Sequence, residues 1–293
     1  MRIAHLQAQC APGGYETNIQ KVLDGLARAD AEKVEIISFP ECFLTGYFPT
    51  SQAQSREHSW SIDGPQITDF LERTAPYRAM CIVGFIERAG DKLYNTVLVA
   101  EGGRLLGSYR KVFVCNEFFS TGRDFPVFEK SGVKFGIIIC ADGGFIEPAR
   151  ILALKGAQII FAPHWNEIDA DGLINHYQMV KADHIARAVE NGVWFFHANN
   201  VDIEPGQARV AYGESYLLNP LGEVVAAGSR HRECFVVADI DPNEFRIDSP
   251  FFQFQHRDRS LDSIKALGRI LLETSADITW DTWYRQWHRK DEP

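Results

Sequence analysis

The stretch VKFGIIICADGGFIE, residues 133–147, decides the fold. Its first half, Val133–Ile139, is apolar and rich in β-branched residues, as in a strand covered on both faces. Cys140 ends that run, and Ala141-Asp142-Gly143-Gly144 turns the chain. A helical pattern starts at about Glu147 and stops at Lys155-Gly156, a cation and a glycine where a helix C-terminus favours both. Strand, elbow and helix in this order form the unit of an α/β sheet, whose functional groups gather at the carboxyl ends of the strands.

The same alternation extends in both directions. Ile3–Gln9, Val34–Phe39, Met80–Phe85, Gln158–Ala162 and Val193–Ala198 read as strands, and Ala211–Leu218, Glu223–Ala227 and Cys234–Ile240 as further short ones. Thr17 with Gln20 forms a capping box, followed by Ile19, Val22, Leu23 and Leu26 at helical spacing. Pro65 opens another helix, and Asn175–Asn191 is the longest helical pattern, stopped by Gly192. Ala89-Gly90-Asp91 and Glu101-Gly102-Gly103 are hairpin turns. These signals predict one α/β domain over residues 1–245, with both parallel crossovers and hairpins. From about residue 243 the alternation lapses. Residues 246–293 are expected to form a C-terminal arm, with Pro250-Phe251-Phe252-Gln253-Phe254 extended and Trp280, Trp283 and Trp287 on a last amphipathic stretch. Such aromatics either pack on a partner subunit or fold back on their own domain.

Composition narrows the function. With 45% hydrophobic and 24% charged residues in a chain of 293, disorder and fibrous repeats are excluded. A formal charge of −9 without a basic run lacks the footprint of a nucleic-acid binder. Six cysteines, at positions 10, 42, 81, 115, 140 and 234, form no CxxC and suit a reducing compartment. No run approaches the ~18 apolar residues of a membrane span, and MRIAHLQAQ reads as a strand rather than a signal peptide. The expectation is a cytoplasmic protein.

Three residues carry chemistry. Cys140, on its elbow, is either a core cysteine or a thiol whose neighbouring backbone N–H groups stabilise an anion. Glu41 ends the apolar strand of ISFPECF; it is either a surface carboxylate or, poorly solvated, a general base. Lys111, in SYRKVFV, ends a third strand and is either one of many solvated cations or an electrophile at the same edge. Together they supply a nucleophile, a base and an ammonium. His164, His176, His184 and His197 raise a metalloenzyme reading, but there is no HExxH and no pairing with cysteine, so packing or rim roles are expected.

These residues sit in motifs through which the chain, from residue 2 to about 245, resembles the nitrilase superfamily of carbon–nitrogen hydrolases. The motifs are Phe39-Pro40-Glu41, Tyr109-Arg110-Lys111 and Cys140-Ala141-Asp142-Gly143-Gly144-Phe145-Ile146-Glu147, where Ile146 replaces the usual proline. Arg187-Ala188-Val189-Glu190-Asn191, Asn199-Asn200 and Tyr212-Gly213-Glu214-Ser215 follow in order. The resemblance implies a four-layer α-β-β-α sandwich that dimerises, and a Glu41–Lys111–Cys140 triad that needs no metal or organic cofactor. It implies a second glutamate, for which Glu117 is preferred over Glu129. Asp142, two residues after the cysteine, points to a small amide or N-carbamoyl substrate, whereas nitrile-cleaving members have Trp-Glu after the cysteine. Ala141, small beside the nucleophile, is expected to widen the pocket, and Tyr47 and Trp165 to line it. The rival readings are a nitrilase and a catalytically silent protein of the same fold.

Overall fold

Side-chain alternation along the strands sorts the apolar residues into three layers of contact. The structure, a computed structural model, describes residues 1–202, 209–244 and 257–276. Strands β1 (Arg2–Gln7), β2 (Ile36–Ser38), β3 (Met80–Ala89), β4 (Lys92–Glu101) and β5 (Arg104–Arg110) lie in one sheet. The second sheet holds β6 (Val127–Lys130), β7 (Val133–Ile137), β8 (Ile159–His164), β10 (Trp194–Asn199), β12 (Tyr216–Leu218) and β13 (Val224–Ala227). Between them in sequence, β9 (Glu167–Asp169) and β11 (Arg209–Ala211) form a separate ribbon, and β14 (Cys234–Asp239) returns to the first sheet beside β1. In the first sheet β1, β2 and β3 are parallel; in the second β7, β8 and β10 are.

The inner faces of the two sheets meet. Ile3, Ile36, Ile82 and Val97 of the first pack with Ile137, Ile159, Phe161 and Phe196 of the second, all buried. Their sequence neighbours point the other way. Ala4, Ile37, Val83 and Leu98 pack under α1 (Tyr15–Ala31) and, after the short α2 (Gln52–Glu57), under α3 (Pro65–Thr74). Ile138, Ile160, Ala162 and Phe195 pack under α4 (Ile146–Leu154) and α5 (Leu173–Asn191). The order is therefore helix, sheet, sheet, helix, the four-layer sandwich that the motifs imply. Each fully buried Ile or Phe contributes roughly 1.5–3 kcal/mol from area removed from water, so the β-branched runs are the main driving term. Both hairpins fall as expected: Ala89 pairs with Lys92 across Gly90, and Glu101 with Arg104 across Gly102-Gly103. The chain falls into two compact units, Met1–Phe245 and Arg246–Pro293; in the second, α6 spans Arg257–Ser275. Residues 250–254 and Trp280, Trp283 and Trp287 lie outside the described residues.

Two local expectations are corrected. Thr17 caps nothing: α1 starts earlier, at Tyr15, because the Asn18 N–H already reaches the Gly14 carbonyl at 3.0 Å, and Thr17 is exposed in the first turn. The single strand expected over 211–218 is two strands in different sheets. Gly213 (φ 72°) and Glu214 (φ 51°) both take the left-handed conformation between them, which breaks an extended run.

One contact ties the fold to the site. Gly84 on β3 lies so close to the turn after β2 that a Cβ there would sit 2.5 Å from the Cys42 nitrogen. Gly84→Ala is expected to displace the Glu41–Cys42 turn and to cost about 1–3 kcal/mol by overpacking. Thermal unfolding together with turnover checks this, with both expected to fall.

Candidate active site

Glu41, Lys111 and Cys140 come from both sheets and converge at strand ends. The Glu41 N–H donates across the inter-sheet boundary to the His164 carbonyl at 3.3 Å, which fixes the end of β2 against the end of β8. Glu41 and Lys111 are both buried, and Lys111 Nζ donates to Glu41 Oε1 at 2.8 Å. Asn95 Nδ2 donates to the same oxygen at 2.6 Å, while Asn95 Oδ1 accepts from the Cys42 thiol at 3.3 Å. Both donors thus use Oε1, and Oε2 is buried with no hydrogen-bond partner. An unpaired buried carboxylate oxygen is costly, and it persists where a transient partner uses it. Burial works against the charge on Lys111, but its interactions with Cys140, once that thiol ionises, and with the Glu41 carboxylate outweigh it and hold the ammonium pKa well above its ordinary value.

Cys140 is half-buried and adopts φ 48°, a left-handed conformation that costs a non-glycine residue roughly 1–2 kcal/mol. Burial pushes its thiol well up from the usual range, and the Glu41 charge pushes it further. The Lys111 ammonium and the Trp165 N–H oppose the shift without reversing it. The resting sulfur is therefore a thiol at neutral pH. Asn166 Oδ1 lies 4.0 Å from Sγ, and Asn166 is itself pinned by its N–H to Asn199 Oδ1 (3.1 Å) and by Nδ2 to the Tyr212 hydroxyl (3.0 Å).

The Cys140 elbow and the Lys111 segment are joined by Asp142. Its buried Oδ1 accepts the N–H groups of Val112 (3.2 Å) and Phe113 (2.8 Å), and its Oδ2 accepts the Tyr109 hydroxyl (2.7 Å) and the Ile139 N–H (2.9 Å). The residue singled out in the sequence as a substrate marker is thus a brace with four donors.

A cavity of about 270 Å³ opens beside Cys140, and Ala141, Asn166, His176 and Asp183 are among its walls. A larger cleft of about 670 Å³, lined by Lys92, Tyr94 and Arg123 among others, contains none of Glu41, Lys111 or Cys140. Tyr47 and Trp165 do not line the Cys140 cavity. They pack edge to face at 6.2 Å on the Lys111 side, with Nζ 6.0 Å from the Tyr47 ring centre. The structure does not bring the second glutamate to the lysine. Glu117 is exposed without a hydrogen bond or ion pair among the described residues, and Glu129 is exposed on β6. Glu41 and, at 3.8 Å, Cys115 Sγ take the Lys111 contacts instead.

The histidines behave differently from their sequence spacing. His164, His184 and His197, from β8, α5 and β10, place ring nitrogens within 4.8 Å of one another, the one group of described residues that could share a metal ion. The His164 Nδ1–H donates to the Ala162 carbonyl at 2.7 Å, His184 Nδ1 lies 2.8 Å from the Tyr216 hydroxyl, and Asn166 Nδ2 donates to His197 Nε2 at 3.3 Å. The rings also pack edge to face or tilted, so the trio forms a hydrogen-bonded aromatic layer beneath Asn166.

Fold and site together present a cysteine on an elbow beyond a strand end, beside a buried carboxylate–ammonium pair. The carbon–nitrogen hydrolase family profile matches residues 2–246, and the chain belongs to that family. It is similar to a nitrilase of Pyrococcus abyssi (32% identity, 82% of this chain and 90% of the relative) and to the N-carbamoylputrescine amidase of Solanum tuberosum (30%, 90% and 94%). The solved amidase from Nesterenkonia sp. AN1 shares the fold, with a TM-score of 0.70, 23% identity, and 90% of this chain and 98% of that one covered. Among the described residues no helix is long and apolar enough to cross a membrane.

Two expectations follow. Asp142→Asn puts an amide N–H₂ against backbone donors, so kcat should fall by about 10²-fold from misplaced Lys111 and Cys140 with little change in KM; steady-state kinetics on a folded variant check this. Burial also lowers the pKa of His5 to about 4, of His164 to about 3, and of His184 and His197 well below the ordinary value. In the unfolded chain these rings take up protons near pH 6.5, so their contribution is intact above that pH and lost as pH falls toward 4. Urea unfolding at pH 7 and pH 5 should show a loss of up to about 2 kcal/mol per histidine; equal stability at both would contradict neutral burial.

Proposed function

We propose that the protein hydrolyses the C–N bond of a small amide or N-carbamoyl compound through a thioester on Cys140, releasing ammonia. The observation that carries this is Glu41 Oε2, a buried carboxylate oxygen without a hydrogen-bond partner in a site whose nucleophile rests protonated. As Sγ attacks the carbonyl carbon, its proton passes to Glu41. Lys111 and the Ala141 N–H receive the developing oxyanion. The C–N bond then breaks, and Glu41 returns the proton to the departing nitrogen, giving ammonia. Water, deprotonated by Glu41, attacks the thioester; the acyl group leaves as acid and the proton returns to sulfur. The atoms balance without a redox or metal step, and Glu117 is assigned no step.

Splitting one displacement in two and stabilising the oxyanion from a fixed ammonium are the sources of rate. The amide or carbamoyl preference is supported by the N-carbamoylputrescine amidase and omega-amidases among the relatives. A nitrile substrate is the second reading, favoured by the similarity to a nitrilase. The reading also takes the protein to work in the reducing cytoplasm, as all six cysteines are free, and as a homodimer or larger homo-oligomer without nucleic acid or membrane.

Ammonia release is expected from one class in a panel of aliphatic amides, N-carbamoyl amines and nitriles. Cys140→Ala should abolish it, and Lys111→Ala should lower kcat by about 10²–10³-fold. Release only from nitriles would favour the nitrilase reading. No release from any class, with Cys140 inert to iodoacetamide, would mark a silent protein of this fold.

A further inference from the structure

Among the residues lining the Cys140 cavity, one bears a formal charge at neutral pH, and it is Asp183. Helix α5 places His176, Val180 and Asp183 on one face, one and two turns apart, along the cavity wall. The Asp183 carboxylate is partly buried and makes no hydrogen bond or ion pair among the described residues. It faces Gly144: a Cβ there would lie 3.7 Å from Asp183 Oδ2, with no other atom nearer. His176 presents a second unspent group, a buried Nδ1 without a partner.

No cation in the cavity is available to balance an anionic substrate tail. Arg187, one turn beyond Asp183, is buried and committed: Nε donates to the Gly143 carbonyl (3.2 Å), Nη2 to the Gly144 carbonyl (3.3 Å), and Nη1 pairs with Glu190 (2.9 Å). Lys111 is paired with Glu41. Burial holds His164, His176 and His184 toward the neutral form. A carboxylate-ended substrate would enter a cavity whose one charge repels it, whereas an ammonium would find an unpaired acceptor. At about 270 Å³ the cavity is smaller than the ~300–1,000 Å³ of sites for drug-sized ligands, which fits a short aliphatic chain.

We infer that the cavity selects substrates with a protonated amine at the end remote from the scissile bond, an ω-amino amide or an N-carbamoyl diamine, with Asp183 as the counter-charge and His176 Nδ1 as an auxiliary hydrogen-bonding group. This rests on the hydrolase reading, and the experiment separates the two. Three matched ureas of equal chain length, 4-ureidobutylamine, n-butylurea and 4-ureidobutanoate, are compared by kcat/KM. The amine should exceed the neutral urea by about tenfold or more, and the carboxylate should be the poorest. Asp183→Asn should collapse the amine-to-neutral ratio by about the same factor. A best carboxylate substrate, or a ratio unmoved by Asp183→Asn, would overturn the assignment.

Protection of Cys140 from iodoacetamide by 1,4-diaminobutane, present in the wild type and lost in Asp183→Asn, reads the cation site without turnover. Protection without hydrolysis of any urea or amide would uphold the cation site and sink the hydrolase reading. Hydrolysis with neither protection nor amine preference would do the reverse.

Discussion

The site depends on one asymmetry: both fixed donors, Lys111 Nζ and Asn95 Nδ2, bind the same oxygen of Glu41. A buried ion pair in a low-dielectric interior is a poor source of stability, because desolvating both charges offsets most of their attraction. What it does supply is fixed orientation. Oε1 is saturated, the carboxylate cannot rotate without breaking two short contacts, and Oε2 is left as a directed acceptor. In the proposed mechanism the same ammonium, whose pKa stays well above its ordinary value, receives the oxyanion. The proposed base and electrophile are therefore set by a single hydrogen-bonded unit.

That unit survives only if two sheets deliver their strand ends to one point. The inter-sheet core of Ile, Val and Phe sets the spacing, and the Glu41–His164 main-chain bond sets the register between the layers. Strain collects where the chain turns into the site: Cys42 and Cys140 both take positive φ, four residues beyond the end of β2 and three beyond the end of β7. Asp142 holds one of these turns in place with four donors, so its role is mechanical although its position in the motif suggests substrate choice. Beneath Asn166, three histidines that burial holds toward the neutral form pack against one another.

Much of this was legible in the sequence because period-two alternation and strand-end punctuation are local signals. ISFPECF, SYRKVFV and KFGIIIC each announce a strand and the residue that leaves it, and the hairpin glycines announce their turns. The polar contacts that complete the site were not legible. Asn95 is a lone amide in the apolar strand KLYNTVLVAE, the one local signal among them, and Asn166 and Asp183 matter only through which cavity their elements face. The histidine trio comes from three elements far apart in sequence, so no spacing rule finds it. Glu117 has the right offset along the chain, but offset does not determine which way a loop side chain points, and here it points to solvent. Thr17 failed as a cap because the preceding glycines let the helix begin sooner.

The claim that Cys140 carries the acyl group is tested most directly by mass spectrometry of protein mixed with a slow amide substrate and quenched in acid. The account predicts an added mass equal to the acyl moiety, confined to the peptide that contains Cys140 and removed by mild alkali. Ammonia release continuing with no such adduct, and with Cys140→Ala fully active, would contradict it.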